Sequence, residues 1–389
     1  MARESAAPCI ALVAGEASGD LLGAALIEAL RELAPLARFV GVAGPRMRAA
    51  GCEVIAPSEE LAVMGLAEVL AHLPRLLRLR FGLRRKLSAL RPDVFVGIDA
   101  PEFNLGLARQ LKRAGIPTVQ YVSPQVWAWR QGRVRSIGQS VDLVLCLLPF
   151  EAQFYEKHAL RAVFVGHPLA DSYPLHTDRA AARAALGLAT DACVVAILPG
   201  SRLSEVKLLG PPFARAASDL SKLRADPKLE FIAPMASPAV RDVFERTLRG
   251  AGVVVRLLDG QAPLALAAAD VVLVASGTAT LETLLSKRPM VAAYRMNSVT
   301  AFVLRQLGLV KVRYFSQPNL LTTTPLVPEF LQEQVKPLEL ARALSTQLDD
   351  RAGRPAMEAE FTRVHDQLRR GGAALAARAV LELAQKGLR

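Results

Sequence analysis

The chain has 389 residues, room for two domains with full cores, and 52% of them are hydrophobic but only 5% aromatic. That profile excludes a disordered or fibrous chain and makes Ala, Leu and Val the core builders. The net charge of +12 points to an anionic partner (nucleic acid, anionic lipid or a phosphorylated small molecule) without choosing among them.

Cys9, Cys52, Cys146 and Cys193 stand singly in or beside apolar runs, with no CxxC pair, and read as small buried hydrophobes in a reducing compartment. The first apolar run, CIALVA, is too short for a signal peptide, and no run reaches the roughly 18 apolar residues of a spanning helix. The expectation is a soluble, cytoplasmic protein, at most peripheral to a membrane.

The first predicted strand, CIALVAG, runs into GEASGD. Gly15, Gly19 and Gly23 permit a tight turn and close backbone approach, while Ser18 or Asp20 caps the helix that follows. The spacing is neither GxGxxG nor a P-loop. Glu16 is a carboxylate at the mouth of a strand, either a solvated loop acid or a candidate base. Ser18, Gly19 and Asp20 beside it are candidate substrate contacts.

ARFVGVAG and CEVIAP are the next strands. After them LPRLLRLRFGLRRKLSALRP, residues 73 to 92, carries seven basic side chains and no acidic one. Pro74 suits the first turn of a helix. Leu76, Leu79, Leu83, Leu87 and Leu90 form its inner stripe, and Arg78, Arg84 and Arg85 lie outward with Phe81 among them. A phenylalanine set among arginines is poorly explained by a solvated face alone, and a nucleic-acid grip and contact with an anionic bilayer both stay open at this point.

DVFVGIDAPEFN ends an apolar strand at Asp99, with Glu102 and Asn104 close behind. A carboxylate there serves as base for a hydroxyl, or as a helix N-cap. TVQYVSP, DLVLCLL and AVFVGHP follow. Between them YVSPQVWAW holds both tryptophans, at least one of them expected in the core. His167 in GHPLAD reads as structural. The Pro- and Asp-rich PLADSYPLHTD, residues 168 to 178, breaks the rhythm and reads as a hinge.

The second half repeats the pattern with CVVAILPG, LEFIAPM, VVVRLLDG, DVVLVASG and PMVAAY. Continuous apolar runs alternating with helical segments predict doubly wound parallel α/β sheets. In ILPGSRLSEV, Ser201 and Arg202 stand at a helix start, where backbone N–H groups and a forked guanidinium suit phosphate; pairing of Arg202 with Glu205 is the other reading. In VASGTATLET, Ser276, Gly277, Thr278 and Thr280 open a helix and suit phosphate oxygens or merely cap it. Glu282, one turn inside, is placed to accept from ribose hydroxyls. Two such loops in one domain point to a nucleoside diphosphate. GxSxG, HExxH, DxD and Cys/His clusters do not occur, so no metal and no cofactor is expected.

GEASGD, GPRM, VMGLAEVL, GIDAPEFN, YVSPQVWAW, GHPLAD, LPGSR, SGTATLE and PNLL, in this order, closely resemble the lipid-A-disaccharide synthases. The resemblance implies a GT-B fold: two Rossmann-like domains facing a cleft, with C-terminal helices returning to the first. Its division here is 1–170 for the acceptor and membrane-facing domain, 171–360 for the UDP-sugar domain and 361–389 for the returning helices. It implies an inverting transfer from UDP-2,3-diacylglucosamine to 2,3-diacylglucosamine 1-phosphate, yielding a β-1,6 disaccharide and UDP. Asp99 becomes the candidate base, Arg202 and Asn319 candidates for diphosphate or sugar, and the SGTATLE residues candidates for UDP. Expected partners are those two substrates and the inner-membrane surface, without nucleic acid, for a monomer or homodimer. One departure stands out, because Thr322, Thr323 and Thr324 follow PNLL where the family has Ala-Gly-Arg. The rivals are another UDP-sugar enzyme on this fold, such as a 2-epimerase, and a basic nucleic-acid-binding protein.

Overall fold

The computed structural model describes residues 7–61, 66–129, 131–226, 228–297 and 314–387. The chain divides into two compact units, 1–171 with 368–389 and 172–367.

The first unit is built on seven parallel strands: β1 (Cys9–Ala14), β2 (Arg38–Ala43), β3 (Cys52–Pro57), β4 (Val94–Ile98), β5 (Thr118–Tyr121), β6 (Leu143–Cys146) and β7 (Ala162–Phe164). Their order is β3-β2-β1-β4-β5-β6-β7. All of β4 is buried, because VFVGI has no polar side chain for solvent and both sheet faces are covered. Helices Ala17–Leu33 and Gly372–Gly387 share one face, with Leu26, Ile27 and Leu30 in the same cluster as Ala376, Ala377 and Val380. Helices Leu66–Leu90 and Pro101–Arg113 cover the other through Leu83, Leu87, Leu107 and Leu111.

The last helix is held at its start by Asp171, whose carboxylate accepts the Gly371 and Gly372 amides at 2.9 Å each. Its predecessor, Arg354–Leu368, remains with the second unit through Gln367, seven residues beyond the expected division at 360. The cause is local. Glu360 accepts the Thr323 amide at 2.8 Å, Arg363 donates to the Leu321 carbonyl at 3.2 Å, and buried His365 meets Lys287.

The second unit carries six parallel strands: β8 (Cys193–Leu198), β9 (Leu229–Met235), β10 (Arg256–Asp259), β11 (Val271–Ala275), β12 (Met290–Tyr294) and β13 (Glu329–Leu331). They run in the order β10-β9-β8-β11-β12-β13. The apolar runs of the sequence mark β1 to β12. The run EFL of β13 escapes notice because it is short and only half-buried. Pro74 lies inside helix Leu66–Leu90 and not at its first turn, since the helical pattern continues upstream.

Each sheet has one place where successive strands depart in opposite directions, between β1 and β4 and between β8 and β11. Loops beyond the carboxyl ends of such a pair form the ligand crevice of an open α/β sheet. AGEASGD and IDAPEFN occupy these positions in the first unit, PGSR and SGTATLE in the second. Within each unit, topology thus brings two of the loops that motif reading singled out to one switch point.

Candidate active site

In the first unit the two loops touch. A Cβ at Gly15 would lie 3.2 Å from the Ala100 Cβ, so glycine lets the β1 exit pass close to the β4 exit. Glu16 stands at the N-cap of helix Ala17–Leu33 without a side-chain cap hydrogen bond, and Ser18 beyond it is exposed. Gly19 is buried against Ala14 and the Ile98 carbonyl, and so serves packing. Asp20 is a correction. Its buried carboxylate accepts the amides of Gly44, Arg46 and Met47 at 2.9, 2.9 and 3.0 Å. It ties down the GPRM turn, and three of its acceptor positions are taken up by the protein itself.

Asp99 directly follows β4, half-buried, and desolvation raises its carboxyl pKa against the opposing pull of the Ala100 N–H. A carboxylate in that state is a stronger base than one in water. Glu102 is engaged by Arg133 through two contacts of 2.9 and 3.1 Å. Among the described residues, Asp99 and Glu16 are therefore the carboxylates that the β1 and β4 exits offer to a substrate.

Beside them the YVSPQVWAW segment is anchored by a residue that motif reading overlooked. Glu151 accepts the Trp127 indole N–H at 3.2 Å and the Leu148 amide at 3.1 Å, and the Trp127 ring packs edge-on against Phe150. The available signal was Pro-Phe-Glu at a strand exit, a proline at helix position one and a glutamate at position three. The side chain of Trp129 lies outside the described residues. His167 is held by the Leu169 amide, and burial lowers its pKa to about 4.

Burial raises the Glu151 pKa from 4.5 to about 7. Between those values the folded protein holds a proton that the unfolded chain has lost, so stability falls as pH rises through this window. Above it the full loss, roughly 3 kcal/mol, is present. Glu151→Gln removes the titration and keeps the shape. Its Tm should rise relative to the parent as pH passes from below 4.5 to above 7. Melting curves with parallel pH dependence in the two proteins would contradict this.

In the second unit Gly200 has φ +126, and a Cβ there would lie 2.5 Å from the Glu205 Cβ. Both conditions demand glycine. Glu205 folds back over the turn and accepts the Ser201 and Arg202 amides at 3.1 and 3.3 Å. Arg202 pairs with it at 3.4 Å, the two side chains being 62% and 23% exposed. The pairing reading is thus realised, but an exposed pair of this length contributes about 0–1 kcal/mol. A charge-assisted bond to phosphate is worth about 1.5–3 kcal/mol, so the guanidinium remains open to exchange.

At the β11 exit Gly277 and Thr278 are exposed at the start of helix Thr278–Leu285. The Ser276 hydroxyl donates to the Phe315 carbonyl at 3.3 Å. Thr280 is buried and donates to the Gly277 carbonyl at 2.8 Å, which leaves it a capping role. Glu282 accepts the hydroxyl of buried Tyr173 at 3.1 Å, and burial raises the pKa of its carboxyl. Asn319 is a second correction. Its nitrogen donates to Val327 and Glu329 at 2.8 Å each, and its oxygen accepts the amides of Leu326 and Val327 at 2.9 Å each. It knits the chain from 319 to 329 through all four of these hydrogen bonds. The Thr322 hydroxyl lies within reach of the Pro318 and Thr324 carbonyls and donates its one proton to either, so the departure after PNLL is accommodated by local turn bonds.

Among the described residues, no group of three or more His, Cys, Asp or Glu could hold a metal ion. None of the described helices is long and apolar enough to cross a membrane.

The lipid-A-disaccharide synthetase family profile matches residues 10–380. This chain belongs to that family. It is 53% identical to a lipid-A-disaccharide synthase of Alkalilimnicola ehrlichii, over 96% of this chain and 98% of the relative. It is 54% identical to one of Azotobacter vinelandii, over 97% and 98%. Among solved structures, the glycotransferase of kitacinnamycin superposes with TM-score 0.59 at 19% identity, over 97% of this chain and all of that one. A UDP-N-acetylglucosamine 2-epimerase from Listeria monocytogenes, described as putative, gives TM-score 0.60 at 13% identity, over 99% and 97%. Those likenesses place the family on the GT-B fold, which transferases and epimerases share; the fold does not choose between them.

Proposed function

We propose that the protein joins UDP-2,3-diacylglucosamine to 2,3-diacylglucosamine 1-phosphate and releases UDP. The observation that carries this reading is the placement of four loops at two sheet switch points in a chain matched to the family over residues 10–380. The acceptor's 6-hydroxyl oxygen attacks the anomeric carbon of the donor while Asp99 takes the hydroxyl proton. The bond from that carbon to the UDP oxygen breaks on the opposite side, so configuration inverts and a β-1,6 linkage forms. The electron pair leaves with the diphosphate. Arg202 and the amides opening helices Leu203–Arg224 and Thr278–Leu285 absorb that charge, and Glu282 accepts from the ribose. UDP release should require both lipid substrates together. Turnover of the donor to an epimer without the acceptor would instead favour the epimerase reading.

Both substrates are acylated, and the basic helix supplies a surface for them. Leu83 and Leu87 are buried, and Leu76, Leu79 and Leu90 pack on the core, while Arg78, Arg84 and Arg85 are exposed and Phe81 is 58% exposed. Each cation adds about 1 kcal/mol at an anionic bilayer. The side chains of VMGLAEVL upstream lie outside the described residues. Phe81→Ser with Arg78→Glu and Arg85→Glu should abolish co-flotation with phosphatidylglycerol-containing vesicles while UDP binding persists. Undiminished co-flotation would leave this helix as a solvated surface.

A further inference from the structure

Three non-glycine residues at the carboxyl ends of β4 and β5 have left-handed backbones: Asp99 at φ 52, Ala100 at φ 40 and Val122 at φ 75. Such conformations are unfavourable for L-residues, most of all for a β-branched valine, and persist only where the surroundings enforce them. Two side-chain amides do so here. Asn104 and Gln120 are both fully buried. The Asn104 nitrogen donates to the Asp99 carbonyl at 2.9 Å and reaches the Ile98 and Val13 carbonyls at 3.3 Å each. The Gln120 nitrogen donates to the same Asp99 carbonyl at 3.0 Å and reaches those of Val122 and Tyr121 at 3.3 and 3.4 Å.

Two donors thus converge on one main-chain oxygen and fill both of its lone pairs. The sheet leaves room for them at Gly97, whose register partners are Val13 and Gln120. A Cβ at Gly97 would lie 2.7 Å from that of Asn104. The amide oxygens, Oδ1 of Asn104 and Oε1 of Gln120, make no hydrogen bond among the described residues. A buried amide used on one side only is destabilising, and a hydrophobe would fill the space without that loss. What a hydrophobe cannot do is grip the Asp99 carbonyl.

We propose that Asn104 and Gln120 are positioning residues that clamp the strained Asp99–Ala100 turn and fix the Asp99 carboxylate at the mouth of β4. The proposal rests on Asp99 being the base. Gln120→Met conserves volume and removes the donor. It should lower kcat about tenfold or more through misplacement of the base, leave UDP affinity unchanged and shift the acid limb of the pH–rate profile. Adding Ala100→Gly should then recover most of the lost kcat, because glycine takes a positive φ without support. A role in packing alone predicts no recovery. If Gln120→Met folds poorly, the glycine must restore fold and turnover together.

Unchanged kcat in folded Gln120→Met, or a loss that Ala100→Gly does not reverse, overturns the proposal. Asp99→Asn measured alongside separates the two readings. An inactive Asp99→Asn with a fully active Gln120→Met removes the clamp alone, whereas an active Asp99→Asn removes the base assignment beneath it.

Discussion

Asp99→Asn should lower kcat about 100-fold or more and leave UDP affinity where it was. The amide keeps the shape of the carboxyl at the β4 exit but cannot accept the acceptor's proton. The UDP contacts assigned here all lie in the other unit, which the substitution does not touch. A second signature accompanies the first. Burial holds the Asp99 pKa above its ordinary value, so activity in the parent should rise with pH through an acid limb displaced upward, as the carboxylate ionises. That limb should vanish in Asp99→Asn. Retention of most activity would transfer the role to Glu16, the other carboxylate offered at the same pair of strand exits.

Arg202→Ala should raise the Kd for UDP about 10- to 150-fold, the equivalent of the ~1.5–3 kcal/mol of a charge-assisted hydrogen bond. Its 3.4 Å contact with Glu205 is too exposed to matter to the fold, so Tm should scarcely move. Arg202→Lys should fall between, because a lysine carries the charge without the fork. Isothermal titration with UDP checks the series. Equal affinity in parent and Arg202→Ala would reject the assignment and leave the SGTATLE helix as the diphosphate site.

The fold was legible because its signals are local. Continuous runs such as VFVGI and VVLVA declare parallel strands covered on both faces, and a loop that leaves such a strand is read directly from the residues after it. What each loop residue touches is not local. Asp20 looks like a ligand contact until its partners, 24 to 27 residues along the chain, take up its oxygens. Asn319 likewise is committed to backbone groups up to eight residues ahead and to the Glu329 carboxylate ten ahead. Gln120 carries no motif at all, and only the pairing of β4 with β5 brings it to Asp99. The end of the second unit was misplaced for a related reason, because helical periodicity does not tell which core a helix joins.

The central claim is a specific bond, and the product tests it most directly. Purified protein would be incubated with UDP-2,3-diacylglucosamine and 2,3-diacylglucosamine 1-phosphate, and the lipid fraction analysed by mass spectrometry and NMR. A single β-1,6-linked tetraacyl disaccharide 1-phosphate, formed one for one with UDP, is the predicted result. UDP released with only the free sugar, or a donor returned as its epimer with no disaccharide, would contradict it.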